Sequence, residues 1–421
     1  MPVKLPLWAR KLLDRHPGAE LPSPQNPAPL WLKQELTRVP LWAFIRGVDD
    51  VRREHPYFLI EDVRSQPQLM RQTLSIGDEI AAVAQRLSDQ GVEHLVFTGC
   101  GSAYFNSLFA AFLFRNWCGA ATEAVESLEF TNYWTSGRRQ GKTALVAQSA
   151  TGGSIETLDA LRRARKEGLV TVGITNTCGS AMDELCDETI AFPTAQRCGP
   201  DVSVITTRLM LLYLLALRWG EQRGAISAER GGALRNAVFS LPEVAERFLQ
   251  TQEARLADLA GVLKDQQALL FVGGGPNWFS ARESTLKVEE ECSMVCKAYR
   301  PAEYPHDAIA LLSPQVTTVV IAPPGPSYGR LHDCLRTGQA AGSRGVALVN
   351  EDDRAIATDA NDAIRVPGSL GEMFFPPLAT IFAQTLGYYL GIERGFNPDT
   401  LRTDDLSHAV AWLTSFPLGT H

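Results

Sequence analysis

Short apolar runs alternate along most of this chain with longer segments whose apolar residues recur every three or four positions. The first series starts near Glu93. HLVFT reads as a strand, a Gly-Cys-Gly turn at 99–101 follows, and AYFNSLFAAFLFRNW has helical spacing. TEAVES, TALVAQ ending near Gln148, VTVGITN and TIAFPT continue the strand-like runs, with the helical SIETLDALRRARKEG between TALVAQ and VTVGITN. A second series repeats the plan: a strand at 268–272, three glycines at Gly273 to Gly275, a helix from Ala281, a strand at 316–324, a helix at 328–341, strands at 345–350 and 363–367, and a long helix from Phe375 to Ile392. Strands alternating with helices at this spacing predict parallel sheets covered on both faces. The expected fold class is α/β, two tandem doubly wound parallel-sheet domains made by internal duplication. A boundary among the helices between Leu217 and Leu263 gives domains at 61–245 and 246–421. In such sheets ligands bind outside the carboxyl ends of the strands.

Residues 1–60 break the pattern. Their prolines, densest in LPSPQNPAPL at 21–30, exclude long helices and predict an extended N-terminal arm, while Trp8, Trp31 and Trp42 imply that it packs on something, a partner subunit being one target. From Phe58 to Gly91 two helical segments, with Pro67 near the start of the second, carry the chain into its first core. Composition narrows the rest: 421 residues, 45% hydrophobic and 21% charged, describe an ordinary globular protein, and a net charge of −7 argues against nucleic acid as a partner. RRARK at 162–166 reads as a solvated helix face, and LMLLYLLAL at 209–217 is far short of a membrane span, so it reads as a buried helix. The first residues lack the apolar core and cleavage site of a signal peptide, so a cytoplasmic address without membrane partners is expected. The eight cysteines contain no CxxC pair, and Cys292 with Cys296 makes a helical pair lacking a zinc-type second half. Free structural thiols are expected, with no metal, cofactor or disulfide.

Candidate chemistry gathers in two stretches. In ARESTLKVEEECSM, Glu283, Lys287, Glu290 and Met294 fall on one helix face. Tyr299-Arg300-Pro301 then leads into a loop carrying His306. A carboxylate on a rigid helix and an imidazole on a nearby loop suit proton transfer. The same residues also fit an exposed face with an i, i+4 Glu–Lys pair. In Ser149-Ala150-Thr151-Gly152-Gly153-Ser154-Ile155-Glu156-Thr157, three hydroxyls and two glycines sit where a strand turns into a helix, so hydroxyls, amides and the helix dipole can converge on an anion. This is a phosphate cradle without a lysine. Ser154 with Thr157 behind it would serve as a plain N-cap, although a cap needs only one such residue. The GCGS turn lacks the third glycine and the acid of a dinucleotide site.

From about Tyr57 to Asp405 the chain resembles the tandem sugar-isomerase (SIS) domains, flavodoxin-like in fold, of phosphosugar-handling enzymes. Examples are the isomerase half of glucosamine-6-phosphate synthase, the galactosamine-6-phosphate isomerases/deaminases and the fructosamine-6-phosphate deglycases. The matching marks are GCGSA at 99–103, SATGGSIET at 149–157, the second glycine turn, ARESTLKVEE at 281–290, His306 sixteen positions after Glu290, and NPDT at 397–400. The resemblance implies that Ser149, Thr151 and Ser154 hold a sugar phosphate, that Gly101, Ser102, Val204 and Thr206 line the sugar, and that Thr157 and Arg402 belong to the same binding set. Glu290 is then the base that moves a proton between C1 and C2. His306 opens the ring or acts as acid, reaching across from the other subunit of a homodimer with shared active sites. Glu283 and Lys287 support the site.

Departures from the family pattern refine the expectation. The chain begins Met1-Pro2 with no glutaminase domain before the first unit, so glutamine-dependent synthesis is expected to be absent. Where the synthases carry an imine-forming lysine, this chain reads Asn397-Pro398-Asp399-Thr400-Leu401-Arg402-Thr403-Asp404, and an arginine stays protonated. The usual His-Gly-Pro is His306-Asp307-Ala308. A substrate that already bears nitrogen is therefore expected, which places deglycase or deaminase ahead of aldose–ketose isomerase. The alternative is a non-catalytic sugar-phosphate sensor or regulatory binding protein; the lack of a basic helix-turn-helix and the presence of both Glu290 and His306 favour an enzyme.

Overall fold

The computed structural model describes residues 7–416 apart from positions 21, 24, 136, 138–140, 193 and 195, and apart from the side chains of residues 7–9 and 11. The N-terminal region forms α1 (Leu7–Asp14), α2 (Leu30–Leu36) and α3 (Leu41–Arg46); α4 (Phe58–Thr73) and α5 (Asp78–Asp89) lead into the first sheet. That unit runs β1 (Val92–Thr98), α6 (Ser102–Cys118), β2 (Ala121–Ala124), α7 (Ser127–Tyr133), β3 (Lys142–Ser149), α8 (Ile155–Lys166), β4 (Val170–Thr175) and β5 (Glu188–Ala191). Two helices, α9 (Ser203–Gln222) and α10 (Ala228–Leu263), connect it to β6 (Ala268–Val272), α11 (Asn277–Cys292), β7 (Val295–Tyr299), α12 (Tyr304–Asp307), β8 (Val316–Ile321), α13 (Tyr328–Ala340), β9 (Arg344–Asn350), α14 (Ile356–Asp359) and β10 (Asp362–Val366). The chain closes with α15 (Pro376–Glu393) and α16 (Leu406–Ser415).

Both sheets are wholly parallel, and their strand orders, β2-β1-β3-β4-β5 and β10-β9-β8-β6-β7, are the same topology run twice. Leu95 of β1 lies opposite Ala144 of β3, and Leu270 of β6 opposite Thr318 of β8. Strands β4 and β8 are buried at every position, as a parallel sheet covered by helices on both faces requires. In this order the chain reverses direction across the sheet between the first and third strands, which opens a crevice at their carboxyl ends. One continuous apolar core, including Phe109, Tyr213, Phe248, Phe279 and Phe382, joins the two units. The boundary expected at residue 245 falls inside the single helix α10.

Several local expectations change. The N-terminal region is not an extended arm: its prolines keep the helices short, but Leu12, Leu32, Leu36 and Leu41 build a separate small core with Ala409 and Leu413 of α16. The arm therefore packs on the chain's own C-terminal helix, with Trp42 buried and the Trp31 indole donating to the Glu20 carbonyl at 2.8 Å. The side chain of Trp8 lies outside the described residues. Pro67 sits inside α4 rather than at the start of a second helix, and Gln66 Nε2 donates at 3.3 Å to the Val63 carbonyl that Pro67 cannot serve. Helix α11 starts four residues before Ala281 and stops at Cys292, where Ser293 turns left-handed (φ 54°). Met294 thus leaves the helical stripe, and Cys296 falls in β7, an edge strand that the short polar-interrupted run VCKAY did not announce. Among the described residues no helix is long and apolar enough to cross a membrane.

The NPDT segment has a structural task. Asp399 is buried, and its carboxylate accepts from the amides of Phe58 (3.0 Å) and Leu59 (2.8 Å), capping α4 from across the chain. Asn397 fixes it by accepting from the Asp399 amide at 3.0 Å and donating to the Arg52 carbonyl at 3.0 Å. Replacing Asp399 by alanine is expected to cost about 2 kcal/mol, as two buried amides lose their acceptor. Asp399→Asn should lose about half of that, since it keeps one carbonyl oxygen. The urea midpoint reports both, and an alanine variant with an unshifted midpoint would refute the cap.

Candidate active site

At the end of β3 the chain makes a tight turn that only glycine fits. Gly152 has φ +61°, and a Cβ there would collide with the Ser180 hydroxyl. The turn folds three hydroxyls together: Ser149 Oγ accepts from the Gly152 amide at 3.1 Å and lies 3.2 Å from Ser154 Oγ, while Thr151 Oγ1 accepts from the Gly153 amide at 3.2 Å. Ser154 precedes α8 but its hydroxyl caps no amide of that helix, so the plain N-cap reading fails. Thr157 lies below this cradle. It is buried, 3.1 Å from Ser127 Oγ, which in turn is 3.2 Å from Thr98 Oγ1, and this chain of hydroxyls ties α8 to β1 and α7. Gly101, with φ +55°, sets the turn from β1 into α6 and leaves its outer side open.

From the start of α6, Ser102 reaches across to the second unit, donating to Glu283 Oε1 at 2.9 Å. Along α11, Lys287 Nζ stands 3.7 Å from Glu283 Oε1 and 2.6 Å from Glu290 Oε2, and it donates to the Asp201 carbonyl at 3.1 Å. Glu283 and Lys287 are fully buried, and the Glu290 side chain is 24% exposed. The solvated-face reading of this stripe is thereby excluded. Burial raises the Glu283 carboxyl to about 7 against the opposing pull of Lys287, and burial also raises Glu290 above its ordinary range. For Lys287, burial acts against the charge, but Glu290, Glu283 and Asp201 together outweigh it and raise its pKa, so the ammonium stays protonated.

Three site residues escaped the reading of the sequence. Asp201 precedes α9, and its carboxylate pairs with Arg46 at 3.1 Å. Arg46, on α3 of the N-terminal region, also donates to the carbonyls of Cys198 and Gly199, both at 2.9 Å, and so fixes the loop whose Asp201 carbonyl holds Lys287. Arg208 is buried in α9 and donates to Asn176 Oδ1 at 3.2 Å. A lone arginine heading the apolar run at 209–217 was a usable signal. Nothing in the sequence linked Arg46 to a loop some 150 positions away.

The remaining candidates are not gathered at Glu290. Val204 is buried, and the buried Thr206 hydroxyl donates inward to Gln66 Oε1 at 2.7 Å. Arg402 has φ +59°, and its guanidinium stacks 4.8 Å from the Phe396 ring centre. His306 is exposed, and its imidazole makes no hydrogen bond or ion pair with the described residues. Its helix α12 is anchored by Tyr304 in the core on one face of the second sheet, whereas Phe279 and Val288 of α11 pack on the other. Asp307 pairs with Lys297 at 2.8 Å. All eight cysteines are free thiols, and among the described residues no group of three or more His, Cys, Asp or Glu side chains could hold a metal.

Residues 87–218, spanning the glycine turn, the cradle and Arg208, match the SIS domain family. The chain carries a SIS domain. Over 350 residues it is 26% identical to the isomerizing glutamine–fructose-6-phosphate aminotransferase of Methanothermobacter thermautotrophicus, a match covering 82% of this chain and 56% of that relative. The chain thus spans little more than half the length of such relatives. Both α/β units together share the tandem SIS fold with the C-terminal domain of glucosamine-fructose-6-phosphate aminotransferase from Francisella tularensis (TM-score 0.73, 19% identity, 82% of this chain and 98% of that one). Glucosamine-6-phosphate deaminase from Thermotoga maritima has the same fold (TM-score 0.64, 20% identity, 82% and 97%).

The buried carboxyl of Glu283 makes stability depend on pH. An unfolded glutamate releases its proton near 4.5, whereas folded Glu283 holds it to about 7. Across that window the folded chain binds more protons than the unfolded one, so this contribution to stability falls as pH rises. Glu283→Gln is neutral throughout, and its urea midpoint should drop less between pH 5 and pH 8 than the wild type's, by the equivalent of about 1–3 kcal/mol. Parallel profiles would refute the assignment.

Proposed function

We propose that this SIS protein is an enzyme acting on amino-sugar or ketosamine 6-phosphates, releasing amine or ammonia by proton transfer between C1 and C2. The observation that carries the reading is the partly exposed Glu290, whose pKa is raised, paired to a buried protonated Lys287 at the seam between the two units. The cradle of Ser149, Thr151 and Ser154 holds the phosphate, and Gly101 and Ser102 border the sugar. With a ketosamine phosphate, Glu290 takes the C1 proton and an enaminol forms. Return of the proton to C2 leaves an imine at C1, and one water then releases the amine and an aldose phosphate. With a 2-amino sugar the same sequence starts at C2 and frees ammonia.

The nitrogen arrives with the substrate in this reading, because neither Lys287 nor the C-terminal segment offers a neutral amine to form an imine. Lys287 is held protonated by its neighbours, and residues 397–416 contain no lysine. There Arg46 and Thr403 line a cavity of about 70 Å³. The names of the aminotransferase relatives and of the deaminase sharing the fold fit amino-sugar phosphates, while tagatose-6-phosphate ketose/aldose isomerase from Escherichia coli shares the fold as well.

His306 acts on the sugar of a second copy in this proposal, since its imidazole has no partner among the described residues of its own chain. Mixing Glu290→Gln with His306→Asn should then restore roughly a quarter of wild-type turnover, from hybrid dimers with one intact shared site. A mixture that exchanges subunits and stays inactive would refute the sharing. The reaction itself is tested by amine and sugar-phosphate release from glucosamine 6-phosphate and fructose-amino-acid 6-phosphates. At least one should turn over, and Glu290→Gln should slow it about a hundredfold or more. Intact substrates that nevertheless raise the melting temperature would make the chain a sugar-phosphate sensor.

A further inference from the structure

The cradle after β3 offers hydroxyls and amides to a doubly charged phosphate but no cation of its own. Arg208, five positions into α9, supplies a candidate. Its side chain is 1% exposed, and its Nε has no hydrogen-bond partner. Among the described residues it forms no ion pair with a carboxylate. Its one hydrogen bond among the described residues points toward the cradle: Nη2 donates to Asn176 Oδ1 at 3.2 Å, and the backbone N–H of Asn176 donates to the carbonyl of Ala150, between Ser149 and Thr151, at 3.1 Å. Of the two acids that face it, Asp201 pairs with Arg46 at 3.1 Å and accepts from Gln196 at 3.0 Å, and Glu283 is held through Oε1 by Ser102 and Lys287 while its Oε2 has no hydrogen-bond partner.

A guanidinium taken out of water without a counter-ion is strongly unfavourable, and folded proteins keep one where another group supplies the missing charge. Burial lowers its pKa only to about 10, so the charge persists at neutral pH. Arg208 thus bonds to Asn176 beside the cradle and lies within electrostatic reach of Asp201 and Glu283, which stand next to Lys287. Its planar fork of donors matches phosphate oxygens.

We propose that Arg208 is a ligand-binding residue, the fixed cation that completes the Ser149–Thr151–Ser154 cradle as a site for a dianionic phosphate ester. The assignment rests on reading that cradle as the phosphate site. Titration calorimetry of the full chain with inorganic phosphate and with glucosamine 6-phosphate tests it. Wild type should bind both, and Arg208→Met should weaken both by about tenfold or more. Its melting temperature without ligand should be unchanged or higher, because an unpaired buried charge is gone. Should methionine prevent folding, Arg208→Gln, neutral but still a donor, is expected to show the same loss. Either variant binding both ligands like the wild type overturns the role of Arg208 and leaves the cradle standing. A wild type that binds neither ligand, or a Ser149→Ala variant that binds as well as wild type, overturns the cradle and this assignment with it.

Discussion

A buried ammonium sets the terms for this structure. Lys287 has no access to solvent, so every donor it carries needs an acceptor and its charge needs an opposite charge nearby. Glu290 and Glu283 supply the charges from the same helix, and the Asp201 carbonyl supplies a third acceptor from the other unit. That demand ties three parts of the chain to one atom. The loop at 198–201 is held in place by Arg46 of the N-terminal region, and Ser102 at the head of α6 holds Glu283. The two units therefore meet around a polar knot, enclosed by an apolar core that runs continuously through both.

The repeated topology makes two crevices, and they differ. The first is bordered by small polar side chains and open backbone. In the second, Glu372 packs its side chain against Gly325 and approaches Gly275, filling the space above the carboxyl ends of β6 and β8 with an acid of its own. Burial raises the pKa of that carboxyl, and Asn277 at the start of α11 secures the segment by donating to the Glu372 carbonyl at 3.1 Å. The second unit contributes α11 to the polar knot while an acid of its own fills its crevice.

The ends of the chain close on each other. Helices α1 to α3 bury leucines against α16, and the NPDT segment between α15 and α16 caps α4. Arg46 extends this clasp to the site. The N-terminal region is thus part of the machinery that fixes Lys287, and its proline content reads in hindsight as a rule for short helices joined by stiff turns.

The sequence alone determined what periodicity can carry: two α/β units, parallel strands in order, the glycine turns, the stripe of Glu283, Lys287 and Glu290, and the cluster of hydroxyls after β3. Each is a local pattern of a few residues whose spacing follows from helix or strand geometry. Only the tertiary structure decided which side of each pattern faced water. It buried the stripe that could have been solvated, turned Ser154 away from capping, sent Thr157 and Thr206 into the interior, and set His306 on the far side of the second sheet from Glu290. It also brought Arg46, Asp201 and Arg208 to the site, although they lie far apart in the chain from α11. Desolvation and long-range pairing depend on what packs across a gap, and a linear sequence with no regular spacing between the partners does not encode that in any pattern readable along the chain.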